Sequence, residues 1–566
     1  MIRTFLRRDD VQIWLERSAV AALIGYFIAV GFAGIDFGNH WDEPWQVTGL
    51  KDCVSSLTWN PHNQIYNGLY FIFGLPFLLA KGARFLPTIF VEVANNSSHP
   101  PNLAGLPSVQ QAQSVLTSYL DSRDYLLGVR RAFVCVTSLA ILWVYLAVRT
   151  LKPRPRACAL CAASFVALSW EVGYHARFIA VDDVVMQFIA LELYAFCRAW
   201  RAADPIRAGR WAALTAAAAA AAWAGKTPAL LAILPAAALV FRPGLAGHER
   251  RWIAAKMLGV YGATAFVLSP WAFIDPLRYL GDMGVARHAY NDQSVSDVLY
   301  VSSGLEHLAR ATLWLSAAVP SPIVPGAVAL SIVALVGLSS RIGSEPRIAI
   351  WTAFVALYLA LMSLNHILII RNYLLAVPVI AAMVGLGVGW LLEAPRARWQ
   401  SRLARGAVAV IVGTLCFNAA WGVRAATSIR NDTAESILEQ FRRDREGSGD
   451  RFRLSPGLAA KLGDAWTARM QCRAAAAAQA DPSSRSYLLY REHSWNRWAN
   501  NRLGALADFY GPLDSNHDWY ITFPGRMRDD RIVGLSPDGA RATRLATRGY
   551  VECARPVSPR GGQSLP

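Results

Sequence analysis

The sequence predicts an all-α polytopic membrane domain of about eleven transmembrane helices, followed by a carboxyl-terminal extracytoplasmic domain of mixed α/β type. Three observations predict it. Of the 566 residues, 54% are hydrophobic and only 17% charged, with mean hydropathy +0.28; an ordinary soluble chain is about 45–50% apolar and about 25% charged. The apolar residues gather into blocks close to the roughly 17–25 residues that a helix needs to cross a bilayer. The basic residues cluster after alternate blocks, as cytoplasmic loops do.

The blocks run 19–35, 129–148, 157–179, 184–200, 211–225, 228–241, 252–274, 319–339, 348–364, 373–392 and 404–422. The first follows Arg3, Arg7, Arg8 and Arg17. A signal peptide starts in the same way, but the blocks downstream favour an uncleaved first span. The fifth and sixth are short for a crossing. Basic clusters then recur: Arg149, Lys152, Arg154 and Arg156; Arg198, Arg201, Arg207 and Arg210; Arg242, Arg250, Arg251 and Lys256; Arg341 and Arg347; Arg396, Arg398, Arg402 and Arg405. All fall inside if the amino terminus is cytoplasmic and the carboxyl terminus outside. Counting the apolar stretch 66–85 as a span would put the next four clusters outside. It therefore reads as an amphipathic, tyrosine-rich helix in the outer interface. The net charge of +17 is thus mainly a topology signal and makes no case for nucleic acid. Arginine outnumbers lysine 50 to 6 in an alanine-rich chain, which suggests a GC-rich bacterial source and hence an inner membrane.

This gives a transmembrane catalytic domain, 1–422, with a long first periplasmic loop at 36–128, and a periplasmic domain, 423–566. In the latter, Asp432 with Glu435 reads as a capping pair opening a helix, and 487–490 and 519–523 read as strands. Cys472 and Cys553 are the cysteines of this domain and can pair there. Cys158 and Cys161 form a C-x-x-C at the start of a span with no second pair, a weak metal signal.

Ionisable residues near a membrane core are costly and tend to be functional. Here they rim the outer face, at the ends of spans. The first loop opens with Asp36, Asn39, His40, Trp41, Asp42 and Glu43. His175, Arg177, Asp182 and Asp183 follow the third span. Lys226 sits between the fifth and sixth, His288 lies in the loop 275–310, and Arg371 lies between the ninth and tenth. Carboxylates supply a base for a hydroxyl, and Lys or Arg supply donors for a leaving phosphate. The outer face meets no nucleotide sugar, so a group donor there comes from the lipid phase.

In that order, the residues Trp41-Asp42-Glu43, Ile179-Ala180-Val181-Asp182-Asp183, Ala224-Gly225-Lys226-Thr227-Pro228 and Arg371-Asn372-Tyr373-Leu374-Leu375-Ala376-Val377-Pro378 resemble the GT-C glycosyltransferases. Within them the pattern is similar to glycosyltransferase family 39, the protein O-mannosyltransferases and the bacterial aminoarabinose–lipid A transferases. The resemblance covers roughly residues 10–425 and leaves out the outer domain. It implies a GT-C-like fold and sugar transfer from a polyprenyl-phosphate donor to a glycan, lipid or protein acceptor, with inversion. It implies Asp42 as general base with Glu43 beside it. It also implies Asp182, with Asp183, orienting acceptor or base, and Lys226 and Arg371 holding the donor phosphate. Asp36, Arg177 and His288 are additional candidates. The resemblance fixes no cofactor; a divalent metal is compatible with the chemistry, but no residues are assigned to one.

Two departures narrow the resemblance. Pro44-Trp45-Gln46 follows the Asp-Glu pair. Asn63-Gln64-Ile65-Tyr66-Asn67 replaces the family's proline-rich or Glu-Lys-Pro entry to the interfacial helix, removing one phosphate-binding lysine and one metal ligand of the aminoarabinose branch. The residues alone leave two alternatives open: a lipid or solute transporter or flippase, and an envelope polysaccharide polymerase or ligase. Transporters usually place their ionisable groups near the midplane of repeated halves, a pattern this sequence lacks.

Overall fold

The computed structural model describes residues 9–35, 43–57, 69–95, 103–152, 155–291, 302–393 and 398–428, together with six strands beyond them. By contacts the chain forms two compact units. One holds the described residues up to Thr427, and the other holds the six strands beyond them.

The first unit is helical. Among the described residues, five helices are long and apolar enough to cross a membrane: Val11–Phe32, Arg123–Leu151, Pro346–Ser363, Arg371–Glu393 and Gln400–Thr427. The remaining predicted spans coincide with helices that are shorter or less apolar. The chain is thus a mostly helical, multi-pass membrane protein.

Helix Arg123–Leu151 starts where the Ser122 side chain accepts from the Tyr125 N–H at 3.2 Å, satisfying one of the four free amides of a helix start. Its 29 residues span about 43 Å at 1.5 Å each. Helix Asp182–Arg201 packs between it and Pro205–Gly225. The alanine run of the latter, buried at Ala218–Ala222, lets backbones approach closely. Helices Val324–Ser339 and Val377–Glu393 cross more tightly still. A Cβ added at Gly337 would collide with the Met383 carbonyl, and one at Gly387 with the Val333 carbonyl. Only glycine permits that reciprocal contact.

Three predicted spans are interrupted. The block 157–179 is two helices, Ala157–Leu168 and Trp170–His175. The break is at Ser169, whose hydroxyl donates to Val319 O at 2.7 Å while also accepting from the Val172 N–H. The block 228–241 alternates 3-10 and α turns, Thr227–Ala232, Ile233–Ala238 and Leu239–Phe241, with Pro228 and Pro235 removing amide donors. The block 252–274 breaks at Ser269-Pro270, for the same reason.

The interfacial stretch is helical from Leu69 to Gly82, turns at Ala83–Phe85, and continues as Leu86–Asn95. Phe73 and Phe77 pack edge-on against Phe133 and Tyr125, with centroids 5.3 and 6.4 Å apart. Leu86, Phe90 and Val91 of the second helix are exposed, an apolar face suited to lie in a membrane interface.

In the second unit the described residues form one mixed sheet of order β2-β6-β1-β3-β5-β4. The strands are β1 Arg451–Leu454, β2 Cys472–Ala475, β3 Ser486–His493, β4 Trp519–Tyr520, β5 Asp530–Leu535 and β6 Tyr550–Cys553. β1 and β3 are parallel; the other pairs are antiparallel. The strand read at 487–490 lies within β3 and that at 519–523 begins as β4. The helix read from Asp432 lies outside the described residues. The register sets Cys472 opposite Cys553. In an oxidising compartment these two are expected to be joined. Peptide mapping without reductant should recover one cross-linked peptide, and Cys472→Ser with Cys553→Ser should cost about 2–5 kcal/mol. Two free thiols in the mature protein would contradict this.

Candidate active site

Four segments far apart in sequence meet around the start of helix Asp182–Arg201. Glu43 opens helix Glu43–Ser56 and is buried. Arg130, fully buried in helix Arg123–Leu151, grips it with a two-pronged ion pair: Nε donates to Oε1 at 2.8 Å and Nη2 to Oε2 at 2.6 Å. Arg130 Nη1 also donates to Ile35 O at 2.9 Å. Parallel bonds of this kind are the strong, orienting form of the arginine–carboxylate pair. Glu43 Oε1 further accepts from the Ile179 N–H at 3.3 Å, and Gln46 Nε2 donates to Ile179 O. The first loop is thereby fastened to the segment that leads into Asp182.

Asp182 and Asp183 occupy the first turn of their helix, ahead of the span read at 184–200. Asp182 is 6% exposed and is held by two cations. Lys226 Nζ donates to its Oδ1, and Arg371 Nε stands 3.1 Å from its Oδ2. Lys226 Nζ also donates to Asn372 Oδ1. Burial acts to raise the Asp182 carboxyl, but Lys226 and then Arg371 outweigh it and hold it below the ordinary carboxylate range. Asp183 is fully buried, and neither of its carboxylate oxygens has a hydrogen-bond partner among the described residues. Burial, followed by the neighbouring Asp182 charge, pushes it well above that range. The two adjacent carboxyls are thus shifted in opposite directions, Asp182 down and Asp183 up.

Chain breaks deliver the cations. Helix Pro205–Gly225 ends at Lys226, which is extended, and Pro228 starts the next turn, a position proline favours. Arg371 and Asn372 lie on the 3-10 turn Ile370–Ala376 before helix Val377–Glu393. Two contacts tie that turn down: Tyr358 Oη donates to Asn372 O at 2.7 Å, and His307 Nε2 meets the Tyr373 hydroxyl. His307 Nδ1 in turn lies 2.6 Å from Asn365 O.

Of the residues singled out from sequence, the structure gathers Asp182, Lys226 and Arg371, adds Asp183 alongside, and links Glu43 through Ile179. Asp36 and Asp42 lie outside the described residues. Arg177 is buried but acts as a brace, donating to Gly173 O and Val30 O with its guanidinium over the Trp170 ring. His288 is exposed on helix Pro276–Ala289. Arg130 and Asn372 were not singled out. The signal for Arg130 was a buried acid at Glu43 that needed a counter-ion; the only signal for Asn372 was its position beside Arg371. Among the described residues no group of three or more His, Cys, Asp or Glu is placed to hold a metal ion.

Residues 100–272, which include Arg130, Asp182, Asp183 and Lys226, match the sequence model of the dolichyl-phosphate-mannose-protein mannosyltransferases. Over that stretch the chain is similar to a family of sugar-transferring enzymes. No curated protein sequence matches it significantly. Solved structures that resemble the chain include ArnT from Cupriavidus metallidurans bound to undecaprenyl phosphate, at 14% identity and TM-score 0.42, covering 76% of this chain and 72% of that one. ArnT in the apo state aligns at 11% identity and TM-score 0.44, covering 91% and 97%. The oligosaccharyltransferase AglB from Archaeoglobus fulgidus, in complex with an inhibitory peptide and a dolichol-phosphate, aligns at 13% identity and TM-score 0.38, covering 77% and 58%.

Chemically, the site presents two cations, an amide and a carboxylate pair in one largely buried place. Such groups act far more strongly there than at a wetted surface. Group transfer, rather than the transporter alternative, accords with the family match.

Proposed function

We propose that the chain transfers a sugar from a polyprenyl-phosphate donor to an acceptor hydroxyl at the periplasmic face of a bacterial inner membrane, inverting the anomeric centre. In this reading eleven passes put the amino terminus in the cytoplasm and residues 423–566, a mixed α/β domain, outside. The acceptor oxygen attacks the anomeric carbon and gives its proton to Asp42. The bond from that carbon to the phosphate oxygen breaks, and polyprenyl phosphate leaves with the bonding electrons. Lys226 and Arg371 hold the phosphate and stabilise the charge that develops on it. Asp182 orients the acceptor. Glu43, with both oxygens engaged by Arg130, positions the first loop against Ile179 and is not itself a base.

The observation that carries this reading is the convergence of Lys226 and Arg371, 145 residues apart in sequence, on the single carboxylate of Asp182. Paired, largely covered cations at a membrane protein's helix breaks are suited to an anionic headgroup. The family whose model matches is named for a dolichyl-phosphate sugar donor, the same donor chemistry. The test joins two measurements. Mass spectrometry of envelope glycans and glycoproteins from a deletion strain should reveal one missing sugar, naming both sugar and acceptor. Lys226→Gln or Arg371→Gln should then lower kcat/KM for the lipid-linked donor by about a hundredfold. An unchanged glycan profile would overturn the assignment.

A further inference from the structure

The two cations assigned above to the donor phosphate already have an anion. Asp182 engages Lys226 through one oxygen and Arg371 through the other. Asp182 is 6% exposed, Arg371 8% and Asn372 3%, and the Lys226 side chain is 16% exposed. A buried Arg371 beside a largely covered Lys226 cannot be left without a counter-ion except at considerable cost. The bridging carboxylate meets that need, turning one oxygen toward each cation. Asn372 spends its Oδ1 on Lys226, and its Nδ2 is buried without a hydrogen-bond partner among the described residues. That leaves a donor beside the cations which a carboxylate on Lys226 and Arg371 does not use. It is a further contact for a phosphate, which has more oxygens than a carboxylate.

We propose that Asp182 is the resident anion of this cradle and that the donor phosphate displaces it, taking Lys226, Arg371 and the Asn372 amide. The proposal rests on the reading of Lys226 and Arg371 as phosphate-holding residues. It has a functional consequence: the Asp182 carboxylate is released to an acceptor hydroxyl only after the donor is bound. Donor and acceptor then bind in compulsory order, and an enzyme without donor does not orient water for wasteful chemistry. When polyprenyl phosphate departs, Asp182 closes back on the cations and assists product release.

The sign of one mutation separates this from a purely structural ion pair. If Asp182 only arranged the cations, neutralising it would misalign them and weaken phosphate binding. A displaced competitor gives the opposite result. The experiment measures binding of a long-chain polyprenyl phosphate to the full chain in nanodiscs of zwitterionic lipid. A second series contains anionic lipid, which separates the polyprenyl headgroup from bulk lipid phosphate. Asp182→Asn and Asp182→Ser are expected to bind the probe about tenfold tighter than wild type, a factor that corresponds to one modest ion pair, while transfer falls. Asp182→Glu, which restores the anion, should return affinity toward the wild-type value. Equal or weaker binding by the neutral variants, with Lys226→Gln weakened, overturns the displacement. If Lys226→Gln and Arg371→Gln bind as wild type, the phosphate reading itself fails instead. Should both neutral variants fail to stay monodisperse, infrared difference spectra of the wild type decide. Probe binding should alter a carboxylate stretch, and a spectrum confined to phosphate bands overturns the proposal.

Discussion

Asp42→Asn is expected to cut sugar transfer by about a hundredfold to ten-thousandfold, the range that a positioned base contributes, while leaving polyprenyl phosphate binding intact. The amide keeps the size of the carboxylate and loses its ability to take a proton. Its sequence neighbour cannot substitute. Both Glu43 oxygens accept from Arg130, and one also accepts from the Ile179 N–H. Releasing Glu43 would strand a buried guanidinium. Glu43→Gln should therefore damage folding before chemistry, whereas Asp42→Asn should damage chemistry in a well-folded protein. The measurement is the initial rate of transfer from a lipid-linked sugar in nanodiscs, alongside complementation of the deletion strain. Near-normal transfer by Asp42→Asn would remove Asp42 from the base role.

Arg130→Met is expected to destabilise the protein by about 3–5 kcal/mol, the cost of leaving one partner of a buried pair uncompensated. Met fills the space of the arginine stem, so the loss is electrostatic rather than a cavity. The doubly neutral variant Glu43→Gln with Arg130→Met should recover much of that stability, since removing both charges removes the desolvation penalty as well. Unfolding titrated with SDS in mixed micelles gives the comparison. A single variant as stable as wild type would mean that water reaches the pair. The double variant should remain slow in transfer, because the fork that holds the first loop to Ile179 is gone.

The helical, multi-pass character of the chain was legible because hydropathy and loop charge are one-dimensional signals. Asp182, Lys226 and Arg371 were legible for a related reason: each stands at the end of an apolar block, where an ionisable residue has few structural excuses. What sequence order could not supply was pairing. Arg130 looks like any basic residue at the edge of a span, and its partner is 87 positions away. Helix interruptions were equally opaque. Hydropathy sees 157–179 as one block, but Ser169 ends one helix and caps the next by accepting from the Val172 N–H, while its hydroxyl donates to Val319 O, 150 residues on. Arg177 illustrates the converse error. It shares the outer rim with the acids in sequence, yet it folds onto backbone carbonyls and the Trp170 ring, as a long side chain with an apolar stem can.

Lys226 ends helix Pro205–Gly225, and Asp182 begins helix Asp182–Arg201. Aligned peptide dipoles amount to roughly half a negative charge at a helix's carboxyl end and half a positive charge at its amino end. Each side chain of the pair is therefore seated on the backbone end that favours its own sign. Part of the field around the cradle thus belongs to the main chain and cannot be deleted by any side-chain substitution. Neutralising Lys226 alone should leave the attraction for anions that the amino end of helix Asp182–Arg201 and Arg371 supply. Buried as it is, that remainder should respond little to the salt that screens surface charges.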